Sequence, residues 1–192
     1  MFTAVVGIRC VALLTFAIPM FIRRRSVRSS RGEDASFGDL SARLPLVANI
    51  AAFGVLITML ILASGERQGA KPLSLALAGS VVAAGGSAIV LLSRSELGSA
   101  WSFVPKAAEQ PGLITTGPYR LVRHPIYLGM SMVAAGQAIA FSSELAFLVV
   151  LAGVIPTFLW RARNEEALLT NFFGDRYVGY RRRTRMIIPY VL

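Results

Sequence analysis

Three short clusters carry most of the residues whose types and spacing suit chemistry. The first is Leu97-Gly98 followed by Trp101-Ser102. The second is Gly117-Pro118-Tyr119-Arg120-Leu121-Val122-Arg123-His124-Pro125-Ile126-Tyr127-Leu128-Gly129. The third sets Arg161 before Glu165-Glu166, then Phe173-Gly174-Asp175-Arg176-Tyr177 and Tyr180. The middle cluster reads as a ligand clamp. Gly117-Pro118 marks a turn. Pro125 suits the first residue of a helix, where neighbouring N–H groups stay free. Such an end receives a carboxylate. Tyr119, His124 and Tyr127 add ring faces and hydrogen-bonding edges. The same residues also fit a plainer role, a helix start anchored at an interface by Tyr, Arg and His. The residues alone leave both open.

Glu165 and Glu166 are adjacent, so on a helix they point about 100° apart and do not form one paired-carboxylate site. Arg161 precedes Glu165 by four residues, a spacing that also fits a surface ion pair. His124 is the single histidine and Cys10 the single cysteine. With no His/Cys pair at ligand spacing, no metal site is expected, and no Ser-His-Asp arrangement is suggested. The G-x-G-x-x-G fingerprint is absent.

The elements that must position these clusters are membrane helices. Hydrophobic residues make up 55% of the 192 and collect in runs near the length that crosses a bilayer. About five spans are expected: Phe2–Ile22, Leu44–Ser64, Leu73–Leu92, Ile126–Ser142 and Leu145–Trp160. The N-terminal run has no basic region before it and reads as a retained span, not a cleaved leader. Only Ser142, Ser143 and Glu144 separate the last two, which predicts an antiparallel hairpin. Gly79, Ala83 and Ser87 form a stripe of small residues that permits close helix approach. Pro156 should kink the fifth helix. Asn49, Gln137 and Arg9 are polar groups at or near membrane depth; each is open to a functional role, with a helix-to-helix hydrogen bond or snorkelling the favoured reading. Residues 26–42 read as a polar loop.

The formal charge is +10. Residues 23–43 hold six Arg, residues 93–125 four Lys/Arg and residues 161–192 seven Arg, together 17 of the 20 basic residues. Five spans put all three segments on one side, so the N-terminus is expected outside and the C-terminus in the cytoplasm, across the cell inner membrane. The charge is thus topogenic and lipid-facing, and no nucleic-acid partner is expected. The chain divides into residues 1–92, three N-terminal spans, and residues 93–192, a cofactor-binding region with hairpin and tail. No soluble stretch can hold a nucleotide-binding domain, so a site must be built from helix ends, the 93–125 loop and the tail. The expected fold is an all-α polytopic membrane protein.

Taken in order, the three clusters resemble the isoprenylcysteine carboxyl methyltransferase and phospholipid N-methyltransferase superfamily. The shared pattern is L-G-x-x-W-S, a loop ending in G-P-Y, R-H-P-x-Y-x-G, a hairpin, R-x-x-x-E-E and F-G-D-x-Y-x-x-Y. It covers roughly Glu96–Thr184. Many relatives carry a His or basic residue where this chain has Pro111-Gly112. The resemblance implies an S-adenosylmethionine site lined by Leu113, Gly117, Tyr119, His124, Pro125, Tyr127, Gly129 and Glu165. It places Glu166 and Arg161 near the transferred methyl or the acceptor, so that Glu165, Glu166 and Arg161 form the catalytic set. S-adenosylhomocysteine is the implied product. The implied reaction is methyl transfer to a lipophilic acceptor: a prenylcysteine-like carboxylate, an isoprenoid or a phospholipid headgroup, entering from the bilayer. Two other readings remain at this point. One is a sterol-reductase-like enzyme using NADPH, against which the small number of spans argues. The other is a non-catalytic membrane accessory protein on the same scaffold.

Overall fold

The structure is a computed structural model that describes residues 40–65, 73–98 and 112–188. The expected first span with Arg9 and Cys10, most of the 26–42 loop, and Trp101, Ser102 and Pro111 lie outside the described residues. Every regular element described is helical: α1 (Leu40–Gly65), α2 (Leu73–Leu97), α3 (Pro125–Ala140), α4 (Glu144–Phe173) and α5 (Asp175–Arg183). A 3-10 turn, Gly117–Arg120, precedes α3. An isolated parallel bridge joins Val122 to Arg185.

Among the described residues, three helices are long and apolar enough to cross a membrane: Leu44–Ala63 in α1, Leu73–Leu97 and Glu144–Phe173. Helix α3 has 16 residues and is shorter than a full span. These four helices match the second to fifth expected spans. Their outer faces carry Val47, Ile50, Ile61, Val81 and Leu145 well exposed. On a water-soluble protein such a surface would aggregate; against lipid tails it is at home.

Helices α2 and α3 pack at very short range. A Cβ on Gly129 would stand 2.6 Å from the Gly86 carbonyl oxygen. One on Gly136 would stand 2.6 Å from the Ala83 nitrogen. Gly79 meets Gly136 and Ala140 in the same way. The contact follows Gly79, Ala83, Gly86 and Val90 against Gly129, Gly136 and Ala140, in steps of four and three, as in a heptad seam. Gly86 joins the expected stripe of Gly79, Ala83 and Ser87 at this contact; Ser87 is buried, and its hydroxyl donates to the Ala83 carbonyl within its own helix (2.9 Å).

Helix α4 also differs from expectation. It does not end at Trp160 but continues to Phe173, so Arg161, Glu165 and Glu166 stand on a helix continuous with the span, not in a tail. The sequence there is rich in Ala, Leu and Glu and holds no Gly or Pro until Gly174. Gly174 has φ +56, a backbone shape that suits glycine and ends the helix. Pro156 is accommodated by a π-helical segment, Val150–Val154, in which the Ile155 N–H reaches back to the Val150 carbonyl. Ser143 caps the start of α4 by accepting from the Ala146 N–H at 3.2 Å. Asn49 of α1 donates to the Thr157 hydroxyl of α4 at 3.0 Å, a polar tie between helices. The core between α1, α3 and α4 holds Phe53, Leu56, Ala134, Val150, Val154 and Phe158.

Candidate active site

The start of α3 lies against the outer turns of α4. His124, the residue before Pro125, is buried between the two glutamates of α4. Its Nδ1 stands 3.4 Å from Glu165 Oε2, and its Nε2 stands 3.5 Å from Glu166 Oε1. The glutamates diverge as a helix requires, and the two edges of one imidazole span the gap. They are thus not a carboxylate pair but two anions sharing a ring.

Glu165 has a second partner, the Tyr127 hydroxyl, which donates to its Oε1. His124 and Tyr127 are three residues apart and stack with centroids 5.5 Å apart and planes 7° apart. Tyr127 in turn stacks on Phe158 of α4 at 5.0 Å. The Arg161 guanidinium carbon lies 5.4 Å from the Tyr127 ring centroid, within cation–π range. The Glu165 side chain keeps 21% exposure, so this carboxylate remains reachable.

Glu166 is held differently. Arg123 Nε donates to its Oε1 at 2.6 Å, and both side chains are buried. Arg181 Nε of α5 lies 3.6 Å from its other oxygen. Arg123 also donates from Nη1 to the carbonyls of Arg181 (3.2 Å) and Thr184. The backbone continues the contact. The Arg123 N–H donates to the Arg185 carbonyl at 2.8 Å, and the His124 N–H to that of Met186 at 2.9 Å. The Tyr180 hydroxyl donates to the Tyr119 carbonyl at 2.7 Å.

Burial alone would push the His124 ring below its ordinary value. The two carboxylates outweigh that and raise it above 6.5. Burial pushes Tyr180 up to about 12, and raises Tyr119 and Tyr177 further, so all three stay neutral at ordinary pH. The raised His124 value sets a pH dependence. The fold holds this proton more tightly than the unfolded chain, so the stabilisation is fully present below about 6.5. It is lost as pH rises through the raised value. The unfolding midpoint of the wild type should therefore fall over that window relative to His124→Gln. A difference between the two that stays flat there would mean that the folded ring is neutral.

The structure thus brings His124, Tyr127, Arg161, Glu165 and Glu166 together around Pro125, the buried first residue of α3. Tyr119 is buried beside them and tied through its carbonyl to α5. Leu113 lines a cavity of about 540 Å³ with Thr115, Arg120, Arg176, Tyr180, Arg183 and Thr184, a lining that includes none of those five residues. Two residues are placed elsewhere. Gly129 sits at the α2–α3 crossing, where its missing side chain allows the close contact. Gly117 has φ +55, and a Cβ on it would stand 2.7 Å from the Glu96 side chain. That loop is fastened by the Thr116 hydroxyl donating to Glu96 Oε2 at 2.7 Å. Both glycines act by shaping backbone. Sequence reasoning missed Arg123, which stood inside the quoted R-H-P cluster, and Phe158 and Arg181, for which only tertiary contact gives a signal.

The model of the phospholipid methyltransferase family matches residues 75–176. A protein-S-isoprenylcysteine O-methyltransferase of Schizosaccharomyces pombe is 35% identical over 79 residues, 41% of this chain and 34% of the relative. The A form from Arabidopsis thaliana is 32% identical over 83 residues, 43% of this chain and 42% of the relative. The matches therefore span well under half of either relative's length. A solved structure of the eukaryotic intramembrane Ras methyltransferase, isoprenylcysteine carboxyl methyltransferase, shares the fold with a TM-score of 0.52 at 18% identity, covering 95% of this chain and 62% of that one. The family match takes in α2, the turn before α3, α3 itself and α4 with both glutamates, more than half of the chain, and the chain belongs to the phospholipid methyltransferase family.

Proposed function

We propose that this protein is an integral membrane methyltransferase that uses S-adenosylmethionine and acts on a lipophilic acceptor, with a prenylcysteine-like carboxylate as the leading class. The observation that carries the reading is the Glu165 centre: a reachable carboxylate, oriented by the Tyr127 hydroxyl and the His124 ring, beside a stack of aromatic faces.

The donor set fits the cofactor. S-adenosylmethionine joins a cationic sulfur and an ammonium to a carboxylate and a purine. The reachable Glu165 carboxylate suits the cations. Arg120, Arg176 and Arg183 around the cavity suit the carboxylate, and Leu113 offers an apolar wall. The cavity's size falls within the range of small-molecule sites. When bound, the cofactor supplies a methyl group already activated by the positive sulfur.

The chain's own work is then orientation and exclusion of water. His124 fixes the Glu165 carboxylate from one side and Tyr127 from the other. Phe158 of α4 backs the Tyr127 ring from within the core. Glu166 is bound by Arg123 and is not free to act as a base, which suits an acceptor that is already ionised. A prenylated or acylated acceptor reaches such a site with its chain still in lipid. The names of the matched relatives also favour the carboxylate class. The basic segments favour a cytoplasmic position for this face by the positive-inside rule, and on this reading residues 93–192 are the catalytic part and the inner membrane is the location.

Titration calorimetry of the purified protein in detergent tests the reading. Binding of S-adenosylmethionine and S-adenosylhomocysteine, with none of NADPH, is expected. NADPH binding alone would move the protein to the reductase reading. Binding of none of the three by folded protein would leave the scaffold without a cofactor.

A further inference from the structure

The cavity that holds Leu113 has two walls from distant parts of the chain. One is the loop with Leu113, Thr115 and Arg120; the other is α5 and its end, with Tyr180, Arg183 and Thr184. Those walls stay together only if the C-terminal segment docks against the start of α3. Beside Tyr180, which bonds the Tyr119 carbonyl, and Arg181, which lies near Glu166, Arg123 is the side chain that reaches both α4 and the C-terminal segment. Its Nε is engaged by Glu166 of α4, and its Nη1 takes two carbonyls of the C-terminal segment, those of Arg181 and Thr184. Two further hydrogen bonds, from the Arg123 and His124 N–H groups to the Arg185 and Met186 carbonyls, form only with that segment in place.

We propose that Arg123 is a positioning residue, a clasp that holds the C-terminal segment as one wall of the cofactor cavity and fixes Glu166 at the same time. Three helical elements meet at one guanidinium: the entry to α3, the outer part of α4 and the end of α5. The planar fork of arginine presents N–H groups in several fixed directions, which this junction uses. A lysine at the same place keeps the charge for Glu166 but has no rigid fork with which to reach both carbonyls. The burial of both Arg123 and Glu166 makes the contact strong enough to hold a segment that otherwise carries five arginines, Arg176, Arg181, Arg182, Arg183 and Arg185, and repels itself. Only the purpose given to the cavity rests on the proposed function; the clasp itself rests on the contacts.

Hydrogen–deuterium exchange on the purified full chain in detergent tests the clasp without any cofactor. In Arg123→Gln the amides of residues 123 and 124, and the peptide covering 177–188, are expected to exchange faster by roughly tenfold or more, since hydrogen bonds from a charged donor carry at least that factor. The amides at the α2–α3 crossing should not change. Arg123→Lys should also speed exchange, and it decides the matter if Arg123→Gln does not fold. Exchange in Arg123→Lys as slow as in the wild type would overturn the clasp, as would loss of protection spread evenly over the helices. In parallel, S-adenosylhomocysteine is expected to bind roughly tenfold or more weakly to the released variants. If the wild type binds no S-adenosylhomocysteine while the variants still release the segment, the clasp stands and the methyltransferase reading falls. If affinity drops with the segment still protected, the clasp falls.

Discussion

Glu165→Ala is expected to lower methyl transfer by a factor on the order of 10³ while the chain still folds. The Glu165 side chain keeps 21% exposure, so its loss removes little packing. What goes is the negative charge at the centre and the acceptor for the Tyr127 hydroxyl. Glu165→Gln separates these two roles, because an amide still accepts from Tyr127 but carries no charge. If charge is the function, the glutamine variant should be nearly as inactive as the alanine variant. The measurement is transfer of labelled methyl from S-adenosylmethionine to a prenylated cysteine derivative in detergent or vesicles. Activity near wild type in Glu165→Ala would remove the residue from the proposed mechanism.

Glu166→Ala should act mainly on stability. Its carboxylate lies against Arg123 with both side chains buried. Removing it leaves a buried guanidinium without its anion, which costs about 3–5 kcal/mol. The loss should appear as a much lower unfolding midpoint than in Glu165→Ala, although the two residues are neighbours. The replacement also takes away one of the two carboxylates that keep the His124 proton, so the His124 pH dependence should shrink with it. Equal midpoints in the two alanine variants would contradict the division of roles. It is the 2.6 Å contact with Arg123, against the partly open position of Glu165, that separates them.

Much of this protein is legible in its sequence, for a physical reason. A bilayer demands long apolar helices, so Leu44–Ser64 and Leu73–Leu92 announce themselves by composition and appear as α1 and α2. The hairpin between α3 and α4 follows from a connection too short for anything else. The ordered motifs marked the family, and the chain belongs to it. Fine limits were less legible. Nothing in hydropathy says that α4 runs past Trp160, because the added turns are held by helix propensity up to Gly174 and by contact with Arg123 and His124.

Which partners each glutamate meets was decided only by the tertiary structure. Adjacent residues on a helix point in different directions, and what each meets depends on the neighbouring helix and the returning chain. Glu166 meets Arg123 and Arg181, while Glu165 meets Tyr127 and stays open. Gly129 carried the same motif signal as His124 and Tyr127. Further along α3 its face is turned to Gly86 of α2, a close backbone approach that requires a glycine there. Sequence determined the solvent, the helices and the residue types of the centre. Three-dimensional packing alone determined how the C-terminal segment, some 60 residues from Arg123 in the chain, closes on it, because that contact is long-range and leaves no local periodicity to read.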